Sequence, residues 1–295
     1  MSTTPYQTQD LARLFRWTPY LLASLWTLLT LLPLVWMYYA SLKSLPDFNL
    51  NRWSVAITPH FENYVEAWTG SVPGADFRAG TLVPLPFSSY FTNSVIITAG
   101  SLALTMILAS VGGYALARHP IPGRRLLIGL VLIALAIPVH ALVLPIWFVE
   151  NALGLVDTHL GAILAYTATG MPFALILLTS YFRSFPAELE DAARVDGCSD
   201  LGVLWRIVLP MSKGPMAAVA ILLANGFWNE FLYALVLLPS NGMKTLPVGL
   251  FNYAGEHFTP YTVLLAALCI ATTPLLILYL FFQRQVTSAD IELVR

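Results

Sequence analysis

Six apolar runs, each long enough to cross a lipid bilayer, constrain what this chain can fold into. The runs extend over residues 17–42, 90–118, 126–149, 160–182, 215–238 and 261–282. A bilayer core of about 30 Å needs about 20 apolar residues in a helix, and backbone groups inside it must be hydrogen-bonded within the protein. The runs therefore predict an all-α, polytopic membrane protein with six transmembrane helices.

The composition agrees with a membrane protein and excludes an ordinary soluble globule. Of the 295 residues, 57% are hydrophobic and 11% are charged, which leaves too few polar side chains to cover a water-exposed surface. Gly112, Gly113 and Pro138 lie inside the second and third runs. Membrane helices tolerate such residues because neighbouring helices satisfy the backbone groups that they free.

The distribution of basic residues predicts the orientation, because cytoplasmic loops carry an excess of Lys and Arg. With six spans and a cytoplasmic N terminus, 11 of the 15 basic residues lie inside, and the other four are Lys43, Arg52, Arg78 and Lys244. Both termini are therefore predicted to be cytoplasmic. The first run is longer than the apolar part of a cleavable signal peptide, which indicates a retained helix.

Three segments between the runs are long enough to have functions of their own. Residues 43–89 and 239–260 are predicted outer loops, and residues 183–214 are a predicted inner loop. The first outer loop contains HFENYVEAW, which is typical of a short amphipathic helix. In the second outer loop, Asn241-Gly242 and Pro247 indicate turns.

The inner loop is the most charged part of the chain, with nine of its 31 Asp, Glu, Lys and Arg residues. Ser184 is a candidate cap for a first helix, which has Pro186 and acidic residues in its first turn. Gly197 suits the left-handed end of that helix, and Ser199 is a candidate cap for a second one. The alternative is a solvated connector, but the helical pattern favours a docking element made of two helices.

Each of these predicted helices has an apolar side, and the acidic residues are expected at the exposed end of the first. The apolar residues are Leu189, Ala192 and Ala193 in the first helix and Leu201, Leu204, Trp205 and Val208 in the second, which ends before Pro210.

The spacing within the inner loop is similar to that of a known family. Asp191-Ala192-Ala193 is followed after three residues by Gly197, after nine more by Ile207 and after one more by Leu209-Pro210. This pattern resembles the EAA loop of permease subunits in binding-protein-dependent ABC importers, with Asp191 where that family has Glu. Between about residues 90 and 282, segments such as SYFRSFPAELEDAARVDG and GFWNEFLYALVLL resemble the carbohydrate-uptake, maltose-permease-like branch.

The resemblance implies the type I ABC importer permease fold, as a single transmembrane domain over 1–295 with its permease core at 90–282. It implies a place in the bacterial cytoplasmic (inner) membrane. The implied partners are a second permease subunit, an ABC ATPase dimer and an extracytoplasmic solute-binding protein, with no nucleic acid. No cofactor is expected in this chain, whereas ATP and Mg are expected in the partner ATPase.

In that family the loop docks into a cleft of the ATPase, so that closure of the ATPase dimer on ATP turns the membrane helices from inward-facing to outward-facing. By resemblance, Asp191 would pair with a basic residue of the ATPase, and small residues would allow close packing. The expected coupling residues are Glu190, Asp191, Ala192, Ala193, Asp196, Gly197, Ile207, Leu209 and Pro210.

Polar residues inside the runs are candidates for a solute path, because burying them in a bilayer is costly. The candidates are Asn93 in the second run and Asn225, Trp228 and Asn229 in the fifth. The indole could stack on a sugar ring, and the two asparagines of the fifth run share a helix face at i and i+4. The alternative is that the asparagines only bond to neighbouring helices; Glu230 is expected to be structural or interfacial.

The second outer loop is the candidate contact with the solute-binding protein, as the equivalent loop is in the maltose-type family. The residues expected there are Gly249, Phe251, Asn252 and Tyr253, with Gly242, Lys244 and Pro247 nearby. The alternative is an unspecific turn between two spans.

Other classes of function fit the sequence less well. An intramembrane enzyme would need a catalytic motif such as HExxH or GxSxG, and an ATPase would need GxxxxGK[ST]; these 295 residues contain none of them. A stand-alone secondary transporter would need inverted repeats around a midplane site. Within the importer family, a permease for a polyol, glycerol phosphate or amino acid is the alternative to a sugar permease.

Overall fold

The structure is a computed structural model. It describes residues 5–54, 58–70, 86–253 and 261–292, with side chains described for 17–54, 58–70, 86–251 and 261–282. The α-helices in these ranges are α1 (Pro5–Ala40), α2 (Leu45–Leu50), α3 (Glu62–Thr69), α4 (Phe87–Arg118), α5 (Arg124–Ala136), α6 (Val143–Leu153), α7 (His159–Ser184), α8 (Ala187–Val195), α9 (Asp200–Val203), α10 (Leu209–Met211), α11 (Lys213–Trp228), α12 (Leu232–Leu237), α13 (Leu246–Tyr253) and α14 (Tyr261–Glu292). Single 3-10 turns occupy Val139–Leu142 and Asn241–Met243, and a π turn occupies Leu204–Val208. No strand occurs in the described ranges, so the predicted all-α class is confirmed.

Four helices are long and apolar enough to cross a bilayer by themselves: α1 from Trp17, α4, α7, and α14 as far as Phe282. They confirm the first, second, fourth and sixth predicted spans. The most apolar 18-residue stretch of α1 buries none of its residues against the rest of the chain, whereas Ala40 at the end of the helix is buried. In contrast, α4 and α7 pack closely, since an added Cβ at Gly113 would lie 3.3 Å from the backbone nitrogen of Thr179. Small residues thus bring these two helices together.

The third run does not form the single helix predicted over 126–149. It is divided into α5 and a second segment, Val139–Leu153, which meet at 99°. Pro138 lies at the break. Proline lacks a backbone N–H and disfavours helical backbone in the residue before it, and Ile137 has extended backbone angles here.

The fifth run is also interrupted, so the continuous helix predicted over 215–238 is wrong. Helix α11 ends at Trp228, and the short α12 begins at Leu232. The side chain of Asn229 donates to the backbone oxygen of Asn225 at 2.9 Å, and the Glu230 carboxylate accepts from the Tyr233 N–H at 2.9 Å. These side chains end one helix and cap the next. Asp200–Met211 and α11 form a second bent pair, whose two parts meet at 82°. If each of the two bent pairs counts as one span, the described residues contain six spans.

The first outer loop contains the amphipathic helix that its sequence predicts. Helix α3 buries Asn63 and Ala67 on one side. The Asn63 amide donates to the backbone oxygens of Ser41 and Lys43 at 2.7 and 2.8 Å, and the Lys43 ammonium donates to the Asn51 oxygen at 2.8 Å. These bonds hold the loop against the C-terminal end of α1.

Candidate functional site

The inner loop folds as two helical pieces joined by a sharp bend, as predicted. Two residues after the last residue of α8 comes Gly197, which has a φ of +86°, and the Cys198 N–H bonds back to the Ala193 oxygen at 3.0 Å. This is the left-handed end for which glycine is suited. The Ser199 side chain accepts from the Gly202 N–H at 3.2 Å and caps α9, as expected.

The predicted cap at the start of α8 is wrong. Helix α7 continues through Ser184, whose hydroxyl donates to the Tyr181 oxygen at 2.8 Å. Helix α8 begins after Pro186 without a side-chain cap. Pro186 itself occupies the N-cap position, with a non-helical ψ of 121°, and has no side-chain oxygen that could accept from the first turn.

The second helical piece runs past Pro210 to Met211, because a π turn precedes the proline. A π turn bonds each N–H to the fifth residue back and changes the angular positions of the side chains. Leu204 and Val208 are buried, whereas Leu201 and Trp205 are exposed. The prediction that all four share one side is therefore wrong. Ile207 and Leu209 of the EAA-like pattern are partly buried and pack against the core, whereas Pro210 is exposed.

A buried cluster anchors α8 to the end of α4. Glu190 is only 1% exposed. Its carboxylate lies 2.7 Å from the Arg118 guanidinium, accepts from the Tyr114 hydroxyl at 2.9 Å and lies 3.5 Å from Arg194. Arg118 also donates to the Phe185 oxygen. We call Tyr114, Arg118, Glu190 and Arg194 the anchor cluster. The expectation that Glu190 lies at the exposed end of the helix is wrong, because its charge is paired within the chain.

The other side of α8 faces away from the protein. The Asp191 side chain is 70% exposed and lies 2.9 Å from Arg194, which also contacts Asp200 at 3.2 Å. The hydrogen bond from Arg194 to Asp200 raises the pKa of the Arg194 guanidinium, so it stays charged. Val195 is 88% exposed. Ala192, Asp196 and Gly197 are exposed as well, whereas Ala193 is buried.

Four apolar residues of the two helical pieces are exposed near Asp191 in the chain, and we call them the exposed apolar face: Leu189, Val195, Leu201 and Trp205. Val195 was not among the residues predicted from the sequence. A valine directly before Asp196 and Gly197, at the end of the predicted helix, is the signal that would have found it. An apolar patch with an acid inside it is typical of a protein contact.

Two of the four candidates for the solute path are enclosed by the protein. Asn93 donates to the backbone oxygens of Gly242 and Lys244 at 2.9 and 3.0 Å and pairs with His159 at 2.9 Å. The buried Trp228 donates from its indole nitrogen to the Ala271 oxygen at 3.0 Å. Both side chains therefore connect elements of the fold and do not face a path in this structure.

The other two candidates, Asn225 and Asn229, are exposed and bond to each other at 3.1 Å. A cleft of about 260 Å³ lies between α7 and α11. Its polar or aromatic lining residues are Tyr166, Thr169, Phe173, Phe227 and Glu230. Tyr166 and Thr169 were missed in the sequence, although a tyrosine and a threonine three residues apart in an apolar run are a detectable signal.

The second outer loop packs onto α4 through backbone and side-chain bonds. Its 3-10 turn at Asn241–Met243 confirms the predicted turn, but Pro247 lies inside α13 and not in a turn. Gly249 is buried, because an added Cβ would lie 2.6 Å from Cγ of Tyr90. Phe251 is exposed. Asn252 and Tyr253 lie in α13, but their side chains fall outside the described residues.

In the described part of the chain, no three His, Cys, Asp or Glu side chains come together as a metal site.

Several known proteins are similar to this chain. The family of binding-protein-dependent transport system inner membrane components matches residues 109–288. The chain is similar to the diacetylchitobiose uptake system permease protein NgcG of Streptomyces coelicolor, with 34% identity over 267 residues, 90% of this chain and 84% of that protein. It is also similar to the arabinooligosaccharides transport system permease protein AraQ of Bacillus subtilis, with 31% identity over 265 residues and 89% of each chain.

A solved structure has the same fold. It is a chain of a bacterial alginate ABC transporter in complex with an alginate pentasaccharide-bound periplasmic protein. The TM-score is 0.64 at 16% identity, over 93% of this chain and 94% of that one.

Proposed function

This chain belongs to the family of inner membrane components of binding-protein-dependent transport systems, and on that premise we propose how it works in a carbohydrate importer. It is the membrane-spanning subunit of an ATP-driven importer and forms half of the translocation pathway. The proposal rests on one observation: α8 has one side that is bound to the rest of the chain and one side that is exposed. Glu190 fastens one side to α4, and Val195 and Asp191 present the other side to a partner.

The partner of the exposed apolar face is an ABC ATPase, which binds and hydrolyses ATP with Mg. Leu189, Val195 and Trp205 enter its cleft, and Asp191 pairs with one of its basic residues. Ala192, Asp196 and Gly197 allow the two surfaces to approach. The buried or partly buried residues of the motif do not touch the ATPase but hold the docking element against the rest of the chain; they are Glu190, Ala193, Ile207 and Leu209.

The anchor cluster transmits the motion of the ATPase to the membrane helices. Because Arg118 and Tyr114 belong to the last turns of α4, a displacement of α8 moves the end of a helix that packs along α7. A second permease subunit completes the pathway. The permease core at 90–282 carries this machinery within a single transmembrane domain.

The solute is a sugar or a sugar oligomer. The similar proteins named above take up diacetylchitobiose and arabinooligosaccharides, according to their names. In the cleft between α7 and α11, Tyr166, Phe173 and Phe227 offer aromatic faces for a sugar ring, and Thr169 and Glu230 offer hydrogen bonds. Asn225 and Asn229 extend the polar surface along α11.

The loops on the other side meet an extracytoplasmic solute-binding protein. Phe251 is exposed on α13, and Asn252 and Tyr253 follow it in the same helix. Gly249 contributes indirectly, because it lets α13 lie against Tyr90. With the basic residues on the cytoplasmic side, both termini are cytoplasmic.

The docking proposal is tested with Val195→Asp, which places a charge on the exposed apolar face without disturbing the core. We expect the ATPase to be lost from the purified complex, and ATP-driven uptake of a labelled sugar oligomer to fall at least tenfold. Leu50→Asp is the matched control, because Leu50 is 85% exposed but lies in the first outer loop. Normal co-purification and uptake by the Val195→Asp protein would exclude this face as the dock.

A further inference from the structure

A basic cavity lies where the beginning of α5 meets the end of α7. Its volume is about 610 Å³. It is lined by Arg124, Arg125, Ile128, Gly129, Leu132 and Arg183. Arg124 is the first residue of α5, and Arg183 is in the last turn of α7. Both positions lie at the cytoplasmic ends of predicted spans, so the mouth of the cavity is at the level of the lipid headgroups.

The three guanidinium groups find no counter-ion among the described residues. No carboxylate there forms an ion pair with Arg124, Arg125 or Arg183, and no acidic residue of the described ranges lines the cavity. The Nε of Arg124 is buried without a hydrogen-bond partner in that part of the chain. Three arginines line one cavity, and an anion in it would provide a partner for the buried Nε of Arg124, because leaving a buried donor unpaired is unfavourable.

The cavity changes from basic to apolar along α5. Ile128 and Leu132 follow Arg124 by one and two turns, so the lining reaches about 12 Å below the first cation at 1.5 Å per residue. At Gly129 an added Cβ would meet no described atom within 4 Å, so the space beside the helix is open there. A free phosphate would use only the mouth, whereas a lipid would use the whole cavity, with its phosphate on the arginines and an acyl chain along Ile128 and Leu132.

We propose that this cavity binds the phosphate group of an acidic phospholipid from the cytoplasmic leaflet. Arg124, Arg125 and Arg183 hold the headgroup, and the apolar side of α5 holds the first part of an acyl chain. Basic pockets between membrane helices on the cytoplasmic side bind the headgroups of acidic lipids. The bound lipid joins α5 to α7 at the cytoplasmic side, next to the segment that leads into α8.

The test uses the chain purified in mild detergent with its co-expressed subunits. Bound lipids are counted by native mass spectrometry while phosphatidylglycerol or phosphatidylcholine is added. The variant Arg125→Gln/Arg183→Gln removes two cations of the cavity. The matched control Arg206→Gln/Lys213→Gln removes two exposed cations on the same side of the membrane, outside the cavity.

We expect the unmodified chain and the control to bind phosphatidylglycerol in preference to phosphatidylcholine. The Arg125/Arg183 variant should bind it at least fivefold more weakly, since each cation near a membrane surface contributes about a factor of five. If that variant does not assemble, Arg125→Gln alone makes the same comparison, because Arg125 is exposed. Equal binding by variant and unmodified chain would overturn the proposal. Displacement of the lipid by millimolar inorganic phosphate would also overturn it, since the site would then take the free anion.

Discussion

Glu190→Gln removes the central charge of the anchor cluster without changing the size of the side chain. The Arg118 guanidinium, 2.7 Å away and with its side chain 16% exposed, would then lack its counter-ion. Removing one partner of a buried ion pair costs about 3–5 kcal/mol. We expect about 3 kcal/mol here, the lower end of that range, because Arg118 and Arg194 both retain some contact with water.

This loss should appear as local opening of α8, since the cluster joins that helix to α4. A decrease of about 3 kcal/mol in the free energy of opening α8 corresponds to an approximately 100-fold larger open fraction. Hydrogen exchange of the α8 amides in the assembled protein measures this fraction. ATP-driven uptake should fall in the same variant while ATPase binding is retained, because the exposed apolar face is unchanged.

Two further variants serve as controls for this prediction. Glu188→Gln changes an exposed acid of the same helix and should leave the exchange of α8 within about twofold of that in the unmodified chain. The double variant Arg118→Gln/Glu190→Gln should open α8 no more than Glu190→Gln does, because no buried charge is left unpaired. If Glu190→Gln and Glu188→Gln exchange at equal rates, the anchor cluster does not hold α8 and the reasoning fails.

Two further predictions concern the outer side. Gly249→Ala should lower the midpoint of thermal unfolding through a clash worth about 1–3 kcal/mol with the buried Tyr90 ring, whereas Gly242→Ala, where an added Cβ meets no described atom within 4 Å, should not. Burial, and secondarily Glu62, raise the pKa of the Glu66 carboxyl above its usual value. Because the folded protein holds the Glu66 proton more tightly than the unfolded chain does, its free energy of unfolding falls as pH rises through the raised pKa. Glu66→Gln should therefore raise the unfolding midpoint at pH 7.5 and leave it unchanged at pH 4; an equal midpoint shift at both pH values would contradict this.

The sequence was most informative where a pattern depends on neighbouring residues alone. Gly197 and Ser199 act as predicted because a helix end is decided within a few residues. The EAA-like spacing indicated the correct family for the same reason, since its residues all lie within one short stretch of the chain. The predicted cap at Ser184 is wrong because the preceding helix, packed along α4, continues through that residue.

Roles that depend on distant residues were assigned less well. Glu190 lies 72 positions from Arg118 in the chain, and no local pattern shows that one acid of α8 points inward while the next, Asp191, points outward. Asn93 and Trp228 had suitable chemistry for a solute path, but the backbone oxygens that they bind come from other segments.

By itself, the sequence determined that this chain is a helical membrane protein with a charged two-helix segment between two spans, because apolar length and composition suffice to place helices in a bilayer. Only the tertiary structure decided which polar side chains are enclosed and that the anchor cluster joins α8 to α4. These two outcomes follow from contacts between residues far apart in sequence, whose free energies compete with and override local preference. The breaks in the third and fifth runs, in contrast, have local causes in Pro138 and in side-chain bonds within one helical turn.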